Sequence, residues 1–173
     1  INKIPIALNS KLKKSIIIKK AEEVDLNFHA RYNAKGKKYR YIINNSLVGS
    51  AIYRDLEYNF PIKLDVEKMK HAAKYFEGEH DFKAFRSSGT SNKNSVREIY
   101  KVEIKEENER IILEFTGNGF LYNMVRIMVG TLMDVGLGKI KPESIKDIID
   151  SKERTKAGKT APAQGLYLVE VYY

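Results

Sequence analysis

Residues 120–135 read FLYNMVRIMVGTLMDV, an almost wholly apolar run. Its apolar side chains recur every three or four residues, which is the period of an α-helix. The residues that form this stripe are Leu121, Met124, Val125, Met128 and Leu132. The spacing therefore predicts a helix whose striped face is buried in a protein core.

The segments on either side of this helix alternate between strand and helix patterns. The predicted helices are residues 4–12, 64–76, 120–135 and 142–149. The predicted strands are residues 16–24, 28–32, 38–43, 96–104, 111–115 and 165–173. We expect residues 28–32 and 38–43 to form one hairpin around Gly36, and residues 96–104 and 111–115 to form a second. Residues 80–86 read as one more helical turn and residues 87–95 as a polar loop.

This order of elements predicts one α+β domain over residues 1–173. Such a domain packs helices against a largely antiparallel sheet. The chain has 173 residues, 43% of them hydrophobic, which is enough for a single core. We find no repeat and no linker that would divide it.

The charge balance points to a polyanionic partner. Lysine and arginine total 31 against 22 acidic residues, a formal net charge of +9. A basic domain of this kind typically binds nucleic acid, and less often an anionic membrane. A solvated, lysine-rich surface explains the same charge, so composition alone leaves both interpretations open.

Composition also excludes several classes of protein. There are no cysteines, so the chain has neither disulfides nor thiolate metal ligands. No apolar run approaches the ~20 residues that span a bilayer, and no signal peptide is indicated at the N-terminus. Because the chain begins at Ile1 rather than methionine, we expect that a longer protein was trimmed.

Arg126 is the most informative single residue. It lies within the apolar helix, and Tyr122, Asn123 and Gly130 share its face at a spacing of three or four residues. The missing side chain of Gly130 lets another segment approach that face closely. A buried guanidinium needs a carboxylate or phosphate partner, yet on this face only Asp134, two turns away, is acidic. The alternative is an arginine that extends to solvent from the helix edge.

The run Tyr39-Arg40-Tyr41 is the second candidate. Strand alternation puts both tyrosines on one face and Arg40 on the other. Aromatic side chains on a sheet can stack on unpaired bases while basic side chains hold the RNA backbone. His29 and Arg31 in the same predicted hairpin favour RNA, although tyrosine and arginine are also ordinary strand residues.

Three further patterns do not support chemistry. Gly158-Lys159-Thr160 resembles the end of a phosphate-binding loop, but Glu153 stands where that loop needs its first glycine. His80 is close to three acidic residues, but the three histidines lack zinc-ligand spacing, so we predict no metal site. No serine-histidine-aspartate or Gly-x-Ser-x-Gly arrangement is present to indicate a hydrolase.

Five blocks of the sequence together resemble the TruA-type tRNA pseudouridine synthase family. They are residues 28–32 (FHARY), 38–43 (KYRYII), 78–82 (GEHDF), 119–126 (GFLYNMVR) and 161–168 (APAQGLYL). They span nearly the whole chain in the family's order and spacing. The resemblance implies the α+β fold of the pseudouridine synthase C-terminal domain, a mixed sheet with helices packed on one face.

The resemblance also implies an activity. Members of the family isomerise uridine to pseudouridine in the tRNA anticodon stem-loop, at nucleotides 38, 39 and 40. They need no cofactor and no metal, and they act in the cytoplasm as homodimers whose basic clefts hold the tRNA. An aspartate in a Gly-Arg-Thr-Asp loop attacks the flipped-out uridine, and the released base rotates and rejoins the ribose through C5.

The family's site residues map onto this sequence by motif. Tyr39 corresponds to the tyrosine that stacks on the base and helps to remove the C5 proton, and Arg126 to the arginine that pairs with the catalytic aspartate. Leu166 corresponds to an apolar wall of the uracil pocket. The residues expected to contact RNA or the active-site loop are Arg31, His29 and Arg40.

The nucleophilic aspartate is absent, because no Gly-Arg-Thr-Asp sequence occurs in these 173 residues. We therefore expect the chain to be the family's C-terminal half and to be inactive by itself. A non-catalytic RNA-binding module on the same scaffold is the main alternative. A ribosome-associated structural protein explains the charge, but not an arginine in an apolar helix.

Overall fold

The computed structural model of this protein describes residues 1–89 and 94–173. The chain divides into two compact units, Ile1–Asn33 and Ala34–Tyr173. The first unit contains the short helix α1, Ile4–Asn9. Its side chains are exposed or partly exposed, and none is buried.

The second unit is built on a six-stranded sheet. Its strands are β1 (Gly36–Asn44), β2 (Tyr58–Asn59), β3 (Gly78–Asp81), β4 (Val96–Glu107), β5 (Arg110–Gly117) and β6 (Leu166–Tyr172). The order is β2-β1-β5-β4-β3, and β6 also pairs with β1. All pairs are antiparallel except β1 with β2. The predicted α+β class with a largely antiparallel sheet is therefore confirmed.

The α-helices of this unit pack against one face of the sheet. They are α2 (Val66–Ala73), α3 (Met124–Gly136) and α4 (Ser144–Ser151). Helical turns of 3-10 type cover Lys74–Phe76, Phe82–Phe85, Arg154–Lys156 and Ala163–Gly165. As predicted, α3 forms and the whole apolar stripe lies in the core. Asp65 caps α2 by accepting a hydrogen bond from the Lys68 amide.

Alternation along the strands gives the sheet two different faces. The helix-bearing face presents Tyr41, Ile43 and Phe115, all completely buried. The opposite, charged face presents Arg40 of β1 and Glu114 of β5, which are direct cross-strand partners. The predicted separation of Arg40 from the two neighbouring tyrosines is therefore confirmed.

The prediction of strands before β1 is wrong. Residues 16–24 form no strand, and residues 28–32 lie in turns rather than in a hairpin with β1. The His29 amide donates to Asn33 Oδ1 at 2.6 Å, and the His29 ring Nδ1 accepts from the Arg31 amide at 3.1 Å. These local bonds compete with strand pairing. The partners of β1 are instead the distant strands β5 and β6.

The second predicted hairpin forms as β4 and β5. The helical turn expected within residues 80–86 is the 3-10 turn Phe82–Phe85. Of the predicted polar loop 87–95, residues 90–93 lie outside the described part of the chain.

Candidate active site

Tyr39 stands on the helix-bearing face near the start of β1. Its ring meets the edge of the Phe120 ring, with 5.1 Å between the centroids. The side chain is half-buried, and this burial raises the pKa of the Tyr39 hydroxyl above its ordinary value. The phenol is therefore protonated at neutral pH.

Leu166 reaches the same place through the close approach of β6 to β1. It is the direct partner of Tyr41 across the two strands. A Cβ added to the preceding residue, Gly165, would lie 2.7 Å from Tyr41 Cζ, so only glycine fits there. The buried Tyr41 hydroxyl donates to the Pro162 carbonyl at 2.7 Å and fixes the entry into β6.

Arg126 is held in the first turn of α3 by polar groups that carry no charge. Its Nε donates to the Ala161 carbonyl at 2.7 Å, and its Nη1 donates to Asn123 Oδ1 at 3.1 Å. The Ala161 amide in turn donates to the Arg126 carbonyl at 3.0 Å. Asn123 precedes the helix in the left-handed conformation, with φ of 60°, and donates to Ser87 Oγ at 3.1 Å.

The segment that carries Ala161 packs tightly on α3. A Cβ at Gly130 would lie 1.7 Å from the Lys159 carbonyl oxygen. The Gly158 amide donates to Thr131 Oγ1 at 2.9 Å. The predicted close approach at Gly130 is therefore confirmed, and Gly158-Lys159-Thr160 is part of this packing rather than a phosphate-binding loop.

Arg154 holds the other side of this segment. Its guanidinium donates to the Gly158 carbonyl at 2.9 Å and to Thr160 Oγ1 at 3.2 Å. The main-chain position of Ala161, and so the geometry of Arg126, depends on these contacts.

Three of the four predicted site residues in this unit, all but Arg40, line one cavity of about 110 Å³. Besides Tyr39, Arg126 and Leu166, its wall includes Phe120 and Asn123. None of the residues that line it is acidic. Across residues 1–89 and 94–173, no carboxylate lies within 4.0 Å of the Arg126 guanidinium. The cavity therefore offers a cation, a phenol and an apolar wall, but no nucleophile of its own.

The remaining predicted site residues lie elsewhere. Arg40 is on the charged face, where its guanidinium pairs with Glu114, as does Lys38 Nζ at 2.8 Å. His29 and Arg31 belong to the first unit, where the Arg31 guanidinium lies 5.9 Å from the centre of the Tyr32 ring. The roles of all three remain predictions.

Sequence reasoning missed two contributors to this site, one that lines the cavity and one that holds Arg126. The sequence places Phe120 at the start of an apolar helix and within a family block, but assigns it no role, whereas it precedes the helix and packs on Tyr39. The Ala161 carbonyl could not be expected as a partner of Arg126, because main-chain acceptors carry no residue-type signal. Asn123 was placed on the Arg126 face by helical spacing, although it lies just before the first helical residue.

The described part of the chain contains no cluster of three or more histidine, aspartate or glutamate residues able to hold a metal ion. In the same residues, no helix is both long and apolar enough to cross a membrane.

Known proteins are similar to this chain over most of its length. Residues 72–173 match the family model described as tRNA pseudouridine synthase. The chain is 58% identical over 167 residues to tRNA pseudouridine synthase A of Acetivibrio thermocellus, which covers 96% of this chain and 68% of that protein. It is 55% identical over 174 residues to the protein of the same name from Ruminiclostridium cellulolyticum. This match covers 99% of this chain and 71% of that protein.

The fold and these matches together define a pseudouridine synthase domain. The chain belongs to the tRNA pseudouridine synthase family. The resemblance found in the sequence, and the prediction of an isomerase of this type, are therefore confirmed.

Proposed function

We propose that this chain supplies the tyrosine, the arginine and the apolar wall of an active site that converts uridine to pseudouridine in tRNA. The proposed targets are nucleotides 38, 39 and 40 of the anticodon stem-loop. The observation that carries the proposal is the meeting of Tyr39, Arg126 and Leu166 around one cavity, although they come from three distant segments.

In the proposed reaction, the N1–C1′ bond of uridine breaks and a C5–C1′ bond forms. The C5 proton leaves and N1 gains a proton, so the isomerisation needs neither an oxidant nor a cofactor. A carboxylate from a Gly-Arg-Thr-Asp loop is the proposed nucleophile, and it must come from outside these 173 residues.

Arg126 is suited to hold that carboxylate. Its Nε and part of its Nη1 are fixed by Ala161 and Asn123, while a guanidinium has five donors in all. The donors that remain can bind a carboxylate without any rearrangement of the arginine. Such an ion pair keeps the nucleophile ionised and oriented.

Tyr39 and Leu166 are suited to hold the base. The ring of Tyr39 is steadied by Phe120, which restricts it to one orientation for stacking. Because its hydroxyl is protonated at neutral pH, it must pass on its own proton in order to accept the C5 proton. Leu166 supplies an apolar surface in the wall of the cavity.

A chimera with the Acetivibrio thermocellus relative tests this function. Residues 1–173 would replace the matching part of that protein, which then provides the remaining third. We expect tritium release from C5-labelled uridine in tRNA by the chimera, and none above background by residues 1–173 alone.

Within the chimera, Tyr39→Phe should slow tritium release by about two to four orders of magnitude, the usual size of an acid–base contribution. tRNA affinity should change little. Tyr100→Phe is the matched control, because Tyr100 is an exposed strand tyrosine. Near-normal turnover of the Tyr39→Phe chimera would contradict the proposed role. An inactive chimera with intact tRNA binding would favour a non-catalytic RNA-binding module.

The partners that follow from this proposal are tRNA and a second copy of the protein, acting in the cytoplasm. Sedimentation of the chimera tests the homodimer directly. A monomer that retains activity would remove dimerisation from the proposal.

A further inference from the structure

A second arginine lies near this cavity, and within the described part of the chain it has no acidic partner. Arg97 is the second residue of β4 and pairs with His80 of β3. Ile99, two residues further along, is buried in the core. Because alternate strand residues share a face, Arg97 is on the helix-bearing face together with Tyr39.

The turn before α3 lies between Arg97 and Tyr39. A Cβ added to Gly119 would lie 3.5 Å from Arg97 Nε, so the arginine runs alongside this turn. The next residue, Phe120, packs against the Tyr39 ring. Asn118 fixes the turn to β4, since its amide donates to the Glu98 carbonyl at 2.9 Å. Arg97 is therefore separated from Tyr39 by two consecutive residues of a tethered turn.

Among residues 1–89 and 94–173, Arg97 has no counter-charge. Its Nη1 donates to the main-chain carbonyls of Val96 and Asn94. Across the described ranges, no carboxylate lies within 4.0 Å of its guanidinium. The four residues outside those ranges read TSNK and include no acidic residue.

This arrangement differs from that of three other arginines, although Arg126 and Arg154 are also held by neutral acceptors. The guanidiniums of Arg40, Arg54 and Arg110 each meet a carboxylate. Partial burial of Arg97 lowers the pKa of its guanidinium, the direction expected of a cation that has lost water without gaining an anion. A partly dehydrated cation of this kind favours an incoming anion.

We propose that Arg97 binds a phosphodiester of the RNA strand whose uridine occupies the Tyr39 cavity. This inference rests on the proposed function, which places a nucleotide in that cavity. A nucleotide held there brings its flanking phosphates beside the adjoining turn, and arginine is the side chain best suited to phosphate oxygens. Arg97 thereby sets the register of the strand rather than taking part in the chemistry.

RNA binding by residues 1–173 tests this inference. The probe is an anticodon stem-loop RNA, with its affinity measured by fluorescence anisotropy over a range of salt concentrations. We expect Arg97→Ala to weaken binding about tenfold at low salt and to lower the slope of log K against log salt by about 0.7–0.9, the value for one phosphate contact. Arg97→Lys should retain most of the affinity, because it keeps the charge.

Arg54→Ala is the matched control. It removes the same formal charge, but Arg54 is exposed and paired with Asp55, so we expect less than about a twofold change. An RNA with a neutral methylphosphonate at a phosphate flanking the target uridine provides a second measurement. The wild-type chain should bind that RNA more weakly than the unmodified RNA. Arg97→Ala should bind the two RNAs equally, because it has already lost the phosphate contact.

Equal affinities of Arg97→Ala and Arg54→Ala would overturn the inference, as would a wild-type chain that does not bind the RNA. Arg97→Ala could instead bind the methylphosphonate RNA more weakly than the wild-type chain, by the same factor as it does the unmodified RNA. That result would show that Arg97 pairs with a protein carboxylate or supports folding, and does not contact the phosphate. Tritium release by the chimera is a separate measurement. An active chimera whose Arg97 fails these tests would remove this inference and leave the proposed function intact.

Discussion

The two faces of the central sheet accommodate arginine in different ways. On the charged face, Arg40 and Lys38 both meet the carboxylate of Glu114, whose side chain is only 8% exposed. On the helix-bearing side, Arg126 donates to the Ala161 carbonyl and to the Asn123 amide oxygen instead of to an acid.

This difference separates stability from binding. A guanidinium that is paired with a carboxylate of the same chain attracts an external anion only weakly. Its main effect is on the stability of the fold. A guanidinium held only by neutral acceptors is oriented but keeps its charge available, so it can attract an anion from elsewhere. We therefore expect substitutions on the charged face to change stability, and substitutions of Arg126 to change function.

The largest expected effect on stability comes from adding a side chain at Gly130, where α3 packs on the segment that orients Arg126. In Gly130→Ala, the new methyl group would overlap the Lys159 carbonyl oxygen, and neither main chain can move freely. We expect a loss of about 3 kcal/mol in the free energy of unfolding, at the upper end of typical overpacking costs. Urea denaturation measures it.

Gly119→Ala is the control for that substitution. A Cβ at Gly119 makes only ordinary contact with Arg97, and its φ lies outside the left-handed region. We expect its free energy of unfolding to stay within about 1 kcal/mol of wild type. Similar losses for both variants would show that the Gly130 packing does not hold this segment.

The next largest effect concerns the charged face. In Glu114→Gln, Lys38 and Arg40 lose their shared carboxylate within a partly buried site. We expect a loss of about 1–2 kcal/mol, since Arg40 is itself well exposed and screened by solvent. Thermal and urea unfolding should agree. Glu103→Gln removes a more exposed carboxylate that pairs with Lys101, and an equal loss there would contradict a special role for Glu114.

A smaller stability effect is expected at Arg126. In these 173 residues, Arg126→Ala removes two hydrogen bonds and leaves no charge stranded, so the loss should be about 1 kcal/mol. In the chimera, the same change leaves the proposed nucleophile unpaired and should abolish tritium release. A large destabilisation of the isolated chain would show that Arg126, like Arg40, mainly supports stability. The proposed difference between the two faces would then not hold.

The smallest expected effect is the pH dependence of the stability that Glu114 contributes. Burial raises the pKa of Glu114, but hydrogen bonds from Lys38 and Arg40 outweigh it, so the pKa lies below its ordinary value. Because the folded-state pKa is depressed, the stabilisation is complete above the unfolded-state pKa, ~4.3, and is lost as the pH falls through the lower folded value. The stability gap between wild type and Glu114→Gln should therefore be constant near neutrality and narrow in acid. A gap that does not change down to pH ~3 would contradict this ion pair.

The sequence was informative wherever a pattern repeats within one element. Helical spacing predicted α3, its buried stripe and the close approach at Gly130. Alternation predicted the hairpin of β4 and β5 and the opposite directions of Tyr39 and Arg40. These patterns succeed because burial of one face imposes the same period on the sequence.

The same reasoning failed between residues 16 and 32. Their β-branched and aromatic residues are as typical of strands as those of β1, but a strand needs a partner. The carboxyl-terminal strand β6 and the hairpin strand β5 pair with β1, while His29 and Asn33 bind nearby amides of their own segment.

Residue type and spacing by themselves determined the α+β class, the basic charge, the α3 helix and the family to which the chain belongs. Only the tertiary structure brought Tyr39, Arg126 and Leu166 around one cavity and gave Arg126 a main-chain carbonyl as its partner. It also placed Arg97 beside the turn at Gly119 and Phe120, with no carboxylate within 4.0 Å in the described residues. The reason is physical: local patterns record which face of an element is buried, whereas a site assembled from distant segments depends on how those faces pack together.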